Sequence, residues 1–466
     1  MWLSNFNQWI LMVSVKPHIF RAYDIRGVYG VDLDEEVAEL VGLAYGTLLG
    51  NRGRIVLGRD VRIGGEALAR GLARGLTRAG CDVLDVGMVS TPMLYFSTVH
   101  FEVDGGIQVT ASHNPPEWNG FKIVKPGGAT LSAGAGMEEL RDIILNRRFR
   151  EGERVGRIER ADALTPYIQF MASRFRIDAG LRIAIDYSNG ATAICFPKIA
   201  ERLGIEVVSI NDVPDGRFPG HLPEPTEETL RDLQELVVKS GADFGAGFDG
   251  DGDRVVFVDD AGRIIPGDIT LAIYVKHLDK RGKVVYDVSS SSALREIILE
   301  KGCEPIEMRV GRAFILNAVR ELNAVIGGEK SNHFYFPEIW GFDDAVYATL
   351  RMAEIIAKSG KKLSQLVDAI PKYPSIPIRA FECPDELKVR VVDEIARYYR
   401  EKGLEVSTID GVKAYFEDGW VLVRQSNTMP QVKMTAEAKT EKRLSEIVSE
   451  AENVIEETIR RLGGGA

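Results

Sequence analysis

Three acidic residues in one short segment are the strongest chemical signal in the sequence. Asp249, Asp251 and Asp253 alternate with Gly250 and Gly252, and two glycines allow the backbone to turn the carboxylates toward one point. Carboxylates so close together repel one another, so a hard divalent cation that prefers oxygen ligands, such as Mg²⁺, is the expected partner. A solvated acidic turn is the alternative, but it would need neither three carboxylates nor the apolar residues on both sides.

A second polar loop contains Ser112 and His113. It follows the strand-like segment Gly106-Ile-Gln-Val-Thr110 and is stiffened by Pro115 and Pro116, so the serine hydroxyl is placed at the end of a strand. Taken alone, this pattern fits a nucleophile and a capping serine beside a structural histidine equally well. The absence of G-x-S-x-G around the serine disfavours a hydrolase.

Two further loops carry groups that suit a phosphorylated sugar. One combines a guanidinium, two hydroxyls and an amide, which suits a phosphate that accepts bidentate hydrogen bonds: Arg424, Ser426, Asn427 and Thr428. An ordinary polar turn is the alternative there. In the other loop, Glu329 and Ser331 suit hydrogen bonding to sugar hydroxyls.

The elements that must position these loops follow an α/β pattern, because apolar β-branched runs alternate with stretches of helical periodicity. A basic residue leads an apolar strand at Arg54, Arg182 and Lys283, which lie roughly 100 to 130 residues apart, a typical domain length. Three similar α/β units are therefore predicted, each with one polar loop. A fourth segment begins near the proline-rich Pro371-Lys-Tyr-Pro-Ser-Ile-Pro377.

Composition limits the partners. The chain has 466 residues and a formal net charge of -10, so it has no general attraction for nucleic acid or for anionic membranes. Its four cysteines are widely spaced, with no C-x-x-C pair, which favours neither a zinc site nor a redox couple and predicts four buried or idle thiols. The N-terminal apolar run lacks a basic leader and is too short to span a bilayer. A cytoplasmic protein is expected, beginning at Met1 or Met12.

With these loops in order, the chain resembles the α-D-phosphohexomutases, in particular their phosphomannomutase/phosphoglucomutase branch. The resemblance runs from Phe20 to Ala438 and depends on several motifs together: Phe20-Arg-Ala-Tyr-Asp-Ile-Arg-Gly27, T-A-S-H-N-P, Asn119-Gly-Phe-Lys122, Pro223-Glu-Pro-Thr226, D-G-D-G-D-R, the G-E-x-S loop and R-x-S-N-T-x-P. It implies three related α/β (mixed-sheet) domains and a C-terminal α+β domain around a central cleft. The expected ranges are 1–157, 158–263, 264–371 and 372–466.

The resemblance also implies roles for individual residues. Ser112 would carry the phosphoryl group and, with the three aspartates, hold one Mg²⁺ per chain. His113 and Arg254 would support the transferring phosphate, and Arg26 and Lys122 would lie near it. Lys122 would act either as a base or only through its charge. The general acid and the general base stay unassigned. Glu329, Ser331 and His333 would bind the sugar, and the Arg424 loop the phosphate that does not react.

The implied reaction interconverts hexose 1-phosphate and hexose 6-phosphate of mannose, glucose or both, with a hexose 1,6-bisphosphate as intermediate and activator. A phosphoglucosamine mutase is one alternative, and a catalytically silent sugar-phosphate sensor is another. The small-molecule phosphosugar is the expected partner, and the oligomeric state is left open. Three departures from the family pattern bear on the substrate. In the sugar loop, Asn332 replaces a frequent glycine, and in the phosphate loop Met429 replaces a frequent glutamate or threonine. Bifunctional bacterial enzymes tend to have a lysine where this chain has Ser289 and a histidine where it has Arg312.

Overall fold

The described residues of this computed structural model are 13–177, 180–426 and 429–463. Met12, Asn427 and Thr428, which figure in the predictions above, lie outside them. The chain divides into two units, one reaching to Ile265 and including Glu338–Gln365, the other formed by Pro266–Pro337 and the chain from Leu366 onward.

The first unit begins with a six-stranded sheet in the order β1-β5-β4-β2-β3-β6. Its strands are β1 (Ile25–Val28), β2 (Arg54–Arg59), β3 (Asp82–Met88), β4 (Gly105–Val109), β5 (Trp118–Val124) and β6 (Ile158–Arg160). Its helices are α1 (Glu35–Leu48), α2 (Gly65–Arg78), α3 (Thr91–His100) and α4 (Met137–Leu145). Strand β2 pairs in parallel with β3 and β4, whereas β5 is antiparallel to β4 and β1.

The second sheet, in the same unit, has five strands in the order β11-β10-β9-β7-β8. They are β7 (Arg182–Asp186), β8 (Glu206–Ile210), β9 (Phe244–Phe248), β10 (Val255–Asp259) and β11 (Ile264–Ile265). The accompanying helices are α5 (Leu164–Arg174), α6 (Phe196–Arg202) and α7 (Arg231–Ser240). Strand β7 is parallel to β8 and β9, and β10 is antiparallel to β9.

The third sheet opens the second unit and has four strands in the order β13-β12-β14-β15. They are β12 (Lys283–Asp287), β13 (Glu304–Met308), β14 (Ile326–Gly328) and β15 (Phe334–Tyr335), with helices α8 (Gly267–Lys276), α9 (Ser292–Glu300) and α10 (Arg312–Glu321). Strand β12 is parallel to β13 and β14, and β15 is antiparallel to β14. Helix α11 (Ala345–Ser359), which belongs to the first unit, and α12 (Leu363–Asp368) follow.

The fourth sheet is antiparallel throughout, in the order β16-β20-β19-β18-β17. Its strands are β16 (Arg379–Glu382), β17 (Glu405–Ser407), β18 (Val412–Phe416), β19 (Gly419–Gln425) and β20 (Gln431–Ala438), and its helices are α13 (Lys388–Glu401) and α14 (Glu441–Gly463). Apolar residues of both helices, including Ile395 and Ile447, pack with strand residues such as Val421 in one core. The predicted fold class, three α/β domains followed by an α+β domain, is confirmed.

The first three sheets share one arrangement. Strands β2, β7 and β12 each begin with the basic residue singled out in the sequence, and each lies between two parallel neighbours. One of the two neighbours, β4, β9 or β14, is itself followed by an antiparallel strand, which is β5, β10 or β15 respectively. The three polar loops connect β4 to β5, β9 to β10 and β14 to β15, so they occupy equivalent places in three repeats.

Among the residues that the structure describes, no helix combines the length and the apolar character needed to cross a membrane.

Candidate active site

Ser112 lies in the loop between β4 and β5, and its backbone conformation is unusual. Its φ of 50° is in the left-handed region, which costs free energy for a residue with a side chain, and strained residues of this kind cluster at functional sites. Its N–H donates to Thr110 Oγ1 at 2.8 Å, and its Oγ donates to Asp249 Oδ2 at 2.9 Å. The predicted nucleophile therefore points at the predicted metal loop.

Arg62, which the sequence analysis did not single out, holds the same loop. Its buried guanidinium donates hydrogen bonds to four backbone carbonyls of the loop, those of Ser112 (2.7 Å), Asn114 (2.5 Å), Pro115 (2.7 Å) and Trp118 (2.9 Å). The five N–H groups of arginine, fixed in a fork, suit this bridging role. No sequence signal connects Arg62 with a serine that lies 50 residues later, so only the fold identifies it.

The three aspartates of the metal loop come together between β9 and β10. Asp249, Asp251 and Asp253 are 0%, 0% and 1% exposed, and one carboxylate oxygen from each lies within 4.8 Å of the others. Gly252 makes the turn with a φ of 79°. A Cβ on Gly250 would lie 2.8 Å from the carbonyl oxygen of Ser112, so this glycine lets the two loops approach each other.

The charges of the metal loop are only partly balanced by its neighbours. Burial, followed by the negative charges of Asp253 and Asp251, raises the pKa of Asp249 to about 7. Lys122 Nζ donates to Asp251 Oδ2 at 2.7 Å and to Asp253 Oδ2, and Arg254 Nε donates to Asp249 Oδ2 at 3.3 Å. Asp251 Oδ1 is buried and has no hydrogen-bond partner among the described residues. A divalent cation with oxygen ligands fits this set of donors.

His113 adds a neutral group beside the serine. Its Nδ1 lies 3.3 Å from Ser112 Oγ. Burial, followed by the positive charges of Arg254, Arg26 and Lys122, lowers the pKa of His113 to about 2. The imidazole is therefore uncharged at neutral pH.

Arg26 reaches the serine loop from β1, next to the strand that carries Lys122. Its Nε donates to Asp24 Oδ2 at 2.7 Å, and its Nη1 donates to the Ala111 carbonyl at 3.2 Å and to Asn114 Oδ1. The structure thus brings together all eight residues predicted for this part of the site: Arg26, Ser112, His113, Lys122, Asp249, Asp251, Asp253 and Arg254.

The predicted sugar loop lies between β14 and β15 in the second unit. Glu329 is buried, its carboxylate accepts a hydrogen bond from the Tyr335 hydroxyl at 2.5 Å, and its N–H donates to the His333 carbonyl at 2.9 Å. Ser331 is exposed at the tip of the loop. Asn332 has a φ of 70°, a left-handed conformation that asparagine tolerates better than most residues. Asparagine therefore occupies here a turn position that glycine would occupy equally well.

The predicted phosphate loop follows β19 in the same unit. Arg424 Nη1 donates to Asp410 Oδ2 at 3.3 Å, and Ser426 Oγ accepts from the Met429 N–H at 3.2 Å. A cavity of about 410 Å³ is lined by Lys330 and Ser331 of the sugar loop and by Arg424. That volume is within the usual range of small-molecule sites, so two of the predicted substrate-binding residues, Ser331 and Arg424, share one cavity.

Comparison with known protein families matches the whole architecture in order. Family models described as phosphoglucomutase/phosphomannomutase alpha/beta/alpha domains I, II and III match residues 17–151, 165–262 and 266–373, and the model of the C-terminal domain matches residues 380–454.

Individual relatives have several names. A phosphoglucomutase/phosphomannomutase of Thermococcus kodakarensis is 36% identical over 460 residues, covering 95% of this chain and 99% of the relative. A probable phosphoglucosamine mutase of Methanopyrus kandleri is 35% identical over 448 residues, covering 95% and 99%. A crystal structure of a phosphoglucomutase/phosphomannomutase family protein from Burkholderia thailandensis has a TM-score of 0.88 and 33% identity, covering 96% of this chain and 98% of that one.

More distant structures share the fold and contain ligands. Two structures of the N-acetylphosphoglucosamine mutase of Aspergillus fumigatus, each 14% identical, have TM-scores of 0.57 and 0.56. They cover 97% of this chain and 98% and 99% of their own. One is a complex with glucose 1,6-bisphosphate, and the other contains GlcNAc-6P and magnesium.

Proposed function

The chain belongs to the phosphoglucomutase/phosphomannomutase family of phosphohexomutases, and from that premise we propose that it interconverts the 1- and 6-phosphates of mannose, glucose or both through a phosphoserine at Ser112. The observation that carries this proposal is the hydrogen bond of 2.9 Å between Ser112 Oγ and Asp249 Oδ2. It places a hydroxyl that can be phosphorylated against a buried cluster of three carboxylates.

The reaction needs two transfers by one serine. In the first, the P–O bond to Ser112 breaks and a new P–O bond forms to the free hydroxyl of the hexose phosphate, whose proton is released. The product is a hexose 1,6-bisphosphate, and Ser112 keeps its oxygen as an alkoxide that takes up a proton. After the bisphosphate reverses its orientation, the P–O bond to the other sugar oxygen breaks and a new P–O bond forms to Ser112. Ser112 gives up its proton in this step, and the sugar oxygen takes up a proton to become a hydroxyl.

The residues around Ser112 act mainly through charge and orientation, which account for most catalysis of phosphoryl transfer. Arg254 and Arg26 supply positive charge beside the serine, and neutral His113 can hydrogen-bond its phosphate. Lys122 donates to two metal-loop carboxylates, and this favours the electrostatic role over the role of a base.

Asp249, Asp251, Asp253 and the Ser112 oxygen would hold Mg²⁺, which, when bound, offsets negative charge on the transferring group. One structure from Aspergillus fumigatus contains glucose 1,6-bisphosphate and the other magnesium, which supports the extension of both ligands to this chain. The role of the bisphosphate as activator is inferred from the family resemblance. Of the remaining predicted substrate-binding residues, Ser331 and Arg424 line the cavity of about 410 Å³. Glu329, Ser331 and His333 would bind the sugar hydroxyls, and the phosphate that does not react would lie on the second loop: Arg424, Ser426, Asn427 and Thr428.

A phosphoglucosamine mutase is the second candidate, because a relative with that name is 35% identical. Ser426-Asn427-Thr428 differs from the S-G-T that is usual in those enzymes, so mannose and glucose are preferred here.

The test is a coupled assay of 6-phosphate formation from mannose 1-phosphate, glucose 1-phosphate and glucosamine 1-phosphate, with Mg²⁺ and trace glucose 1,6-bisphosphate. We expect turnover with the first two sugars and none in Ser112→Ala. The highest turnover with glucosamine 1-phosphate would select the second candidate. No turnover of any sugar by folded protein would contradict the proposal and favour a silent sugar-phosphate sensor.

A further inference from the structure

In each of the three repeated sheets a buried aspartate lies at the carboxyl end of β2, β7 or β12, directly after β2 and as the last residue of β7 and β12. The reaction above does not use these aspartates. Asp60, Asp186 and Asp287 are 0%, 0% and 1% exposed. In each, Oδ1 accepts the backbone N–H two residues later, at 2.9, 2.9 and 2.8 Å. These equivalent contacts make the same short turn after β2, β7 and β12.

The second carboxylate oxygen leads to the functional loop in the first repeat. Asp60 Oδ2 accepts from Thr110 Oγ1 at 2.6 Å, and Thr110 Oγ1 in turn accepts from the N–H of Ser112 at 2.8 Å. One side chain therefore separates the aspartate from the serine whose φ is 50°.

The third repeat makes the same connection directly. Asp287 Oδ2 accepts from the N–H of Lys330 at 2.6 Å, and Lys330 lies between Glu329 and Ser331 of the sugar loop. No side chain intervenes here, so the carboxylate sets the position of the loop backbone itself.

The second repeat makes the connection through a histidine. Asp186 Oδ2 lies 2.8 Å from His221 Nε2, and the carbonyl of nearby Pro223 accepts from the N–H of Gly250 at 3.2 Å. The turn after Asp186 also contacts the metal loop, because Ser188 Oγ donates to the Phe248 carbonyl at 2.6 Å.

We propose that Asp60, Asp186 and Asp287 are positioning residues, one for each repeat, which set the serine loop, the metal loop and the sugar loop respectively. The assignment of a task to each loop rests on the proposed function. The fold explains why the same position serves all three loops. Strands β2, β7 and β12 lie in parallel beside β4, β9 and β14, so the carboxyl ends of the two strands meet at one sheet edge in each repeat. A turn alone needs one acceptor oxygen, which asparagine also supplies; the second oxygen is what requires a carboxylate.

Asp259 provides a matched control. It is buried at the end of β10, and its Oδ1 accepts the N–H of Ala261 at 3.0 Å in the same kind of turn. It pairs with Phe244, at the opposite end of β10 from Val255 and the metal loop. Asp259→Asn should therefore change stability without changing any property of the active site.

The experiment compares Asp60→Asn, Asp186→Asn, Asp287→Asn and Asp259→Asn in the full chain, with the thermal midpoint measured for each. The loss of a hydrogen bond to a charged acceptor should change the rate or binding constant that depends on it by about tenfold or more. We expect a lower kcat with KM within about twofold for Asp60→Asn. For Asp186→Asn we expect a higher Mg²⁺ concentration for half-maximal activity, and for Asp287→Asn a higher KM for the sugar phosphate.

Two binding measurements keep this test separate from the test of the proposed function, and a phosphorylation measurement accompanies them. Mg²⁺ binding to Asp186→Asn and glucose 1,6-bisphosphate binding to Asp287→Asn, both by calorimetry, report on the loops without turnover. Mass spectrometry follows phosphorylation of Ser112 by the bisphosphate in Asp60→Asn. If Asp60→Asn or Asp186→Asn fails to fold, Thr110→Val and His221→Ala remove the side chains that contact these two carboxylates. If the three aspartate variants, like Asp259→Asn, change the thermal midpoint but not the particular kinetic or binding constant predicted for each, the assignment of separate tasks is wrong.

Discussion

A single methyl group at Gly250 should separate the serine loop from the metal loop. In Gly250→Ala the new Cβ would lie 2.8 Å from the Ser112 carbonyl oxygen and 3.0 Å from Pro223 Cβ. Ordinary contacts begin at 3.4 Å, so the two loops must move apart by about 0.6 Å, and backbone cannot move as freely as the end of a side chain. The φ of Gly250 is not in the left-handed region, so the effect is purely one of space.

The magnitude follows from the precision that phosphoryl transfer requires. Because a misplacement of about 1 Å can cost roughly a hundredfold in rate, we expect kcat to fall by about tenfold to a hundredfold. KM should change little, because the loops proposed to bind the sugar and its phosphate lie on other sheets. Overpacking of this kind costs about 1–3 kcal/mol in the free energy of unfolding, which a protein of this size should tolerate.

The assay is steady-state turnover of glucose 1-phosphate and mannose 1-phosphate at saturating Mg²⁺, together with urea unfolding. Gly65→Ala is the control, since its Cβ would meet nothing closer than 3.7 Å. If folded Gly250→Ala keeps kcat within twofold of the unaltered protein, the distance between these two loops is not what limits the reaction.

Three further predictions concern stability and can be checked by urea unfolding. Lys122→Met should lower the free energy of unfolding by about 3–5 kcal/mol, because it removes the ammonium group that donates to the buried carboxylates of Asp251 and Asp253. Added Mg²⁺ should restore part of the loss, and no difference between the two conditions would count against a metal at this site. Burial raises the pKa of Asp344 to about 7, well above that of an aspartate in the unfolded chain. The folded protein therefore binds this proton more tightly than the unfolded chain does. As pH rises from about 4 to about 7, Asp344 should lower the free energy of unfolding by up to about 4 kcal/mol. Asp344 caps helix α11, where its Oδ1 accepts from the Tyr347 N–H at 3.0 Å. Asp344→Asn keeps this acceptor and should remove that part of the slope, whereas an unchanged slope would contradict the prediction. Asn332→Ala should be less stable than Asn332→Gly by about 1–2 kcal/mol, since alanine is strained at a φ of 70°, and equal midpoints would show that the loop relaxes.

The fold was predictable because its signals are local and repeated. A basic residue followed by an apolar run identified β2, β7 and β12, and each proved to be the strand between two parallel neighbours. The aspartates of the metal loop were recognisable because glycines separate them and apolar strands flank them. These features depend on residues that are close in the chain, where spacing and residue type are sufficient.

What the sequence could not supply depends on contacts between distant segments. Arg62 contacts four carbonyls of the serine loop, but its neighbours in the chain are ordinary. Gly250 is one glycine among 47, and only its distance from Ser112 distinguishes it. Asn332 was expected to be a departure from the usual glycine, yet a φ of 70° shows that it meets the same backbone requirement. Such facts follow from the packing of strands that lie far apart in sequence.

The shared strand order also has a consequence for how dissimilar chemical groups are held in one protein. The connections from β4 to β5, from β9 to β10 and from β14 to β15 are equivalent places in the three sheets. One of them holds a serine, the second a group of carboxylates and the third a glutamate, while the strand order around each stays the same. A single supporting framework, used three times, can therefore present three different kinds of side chain.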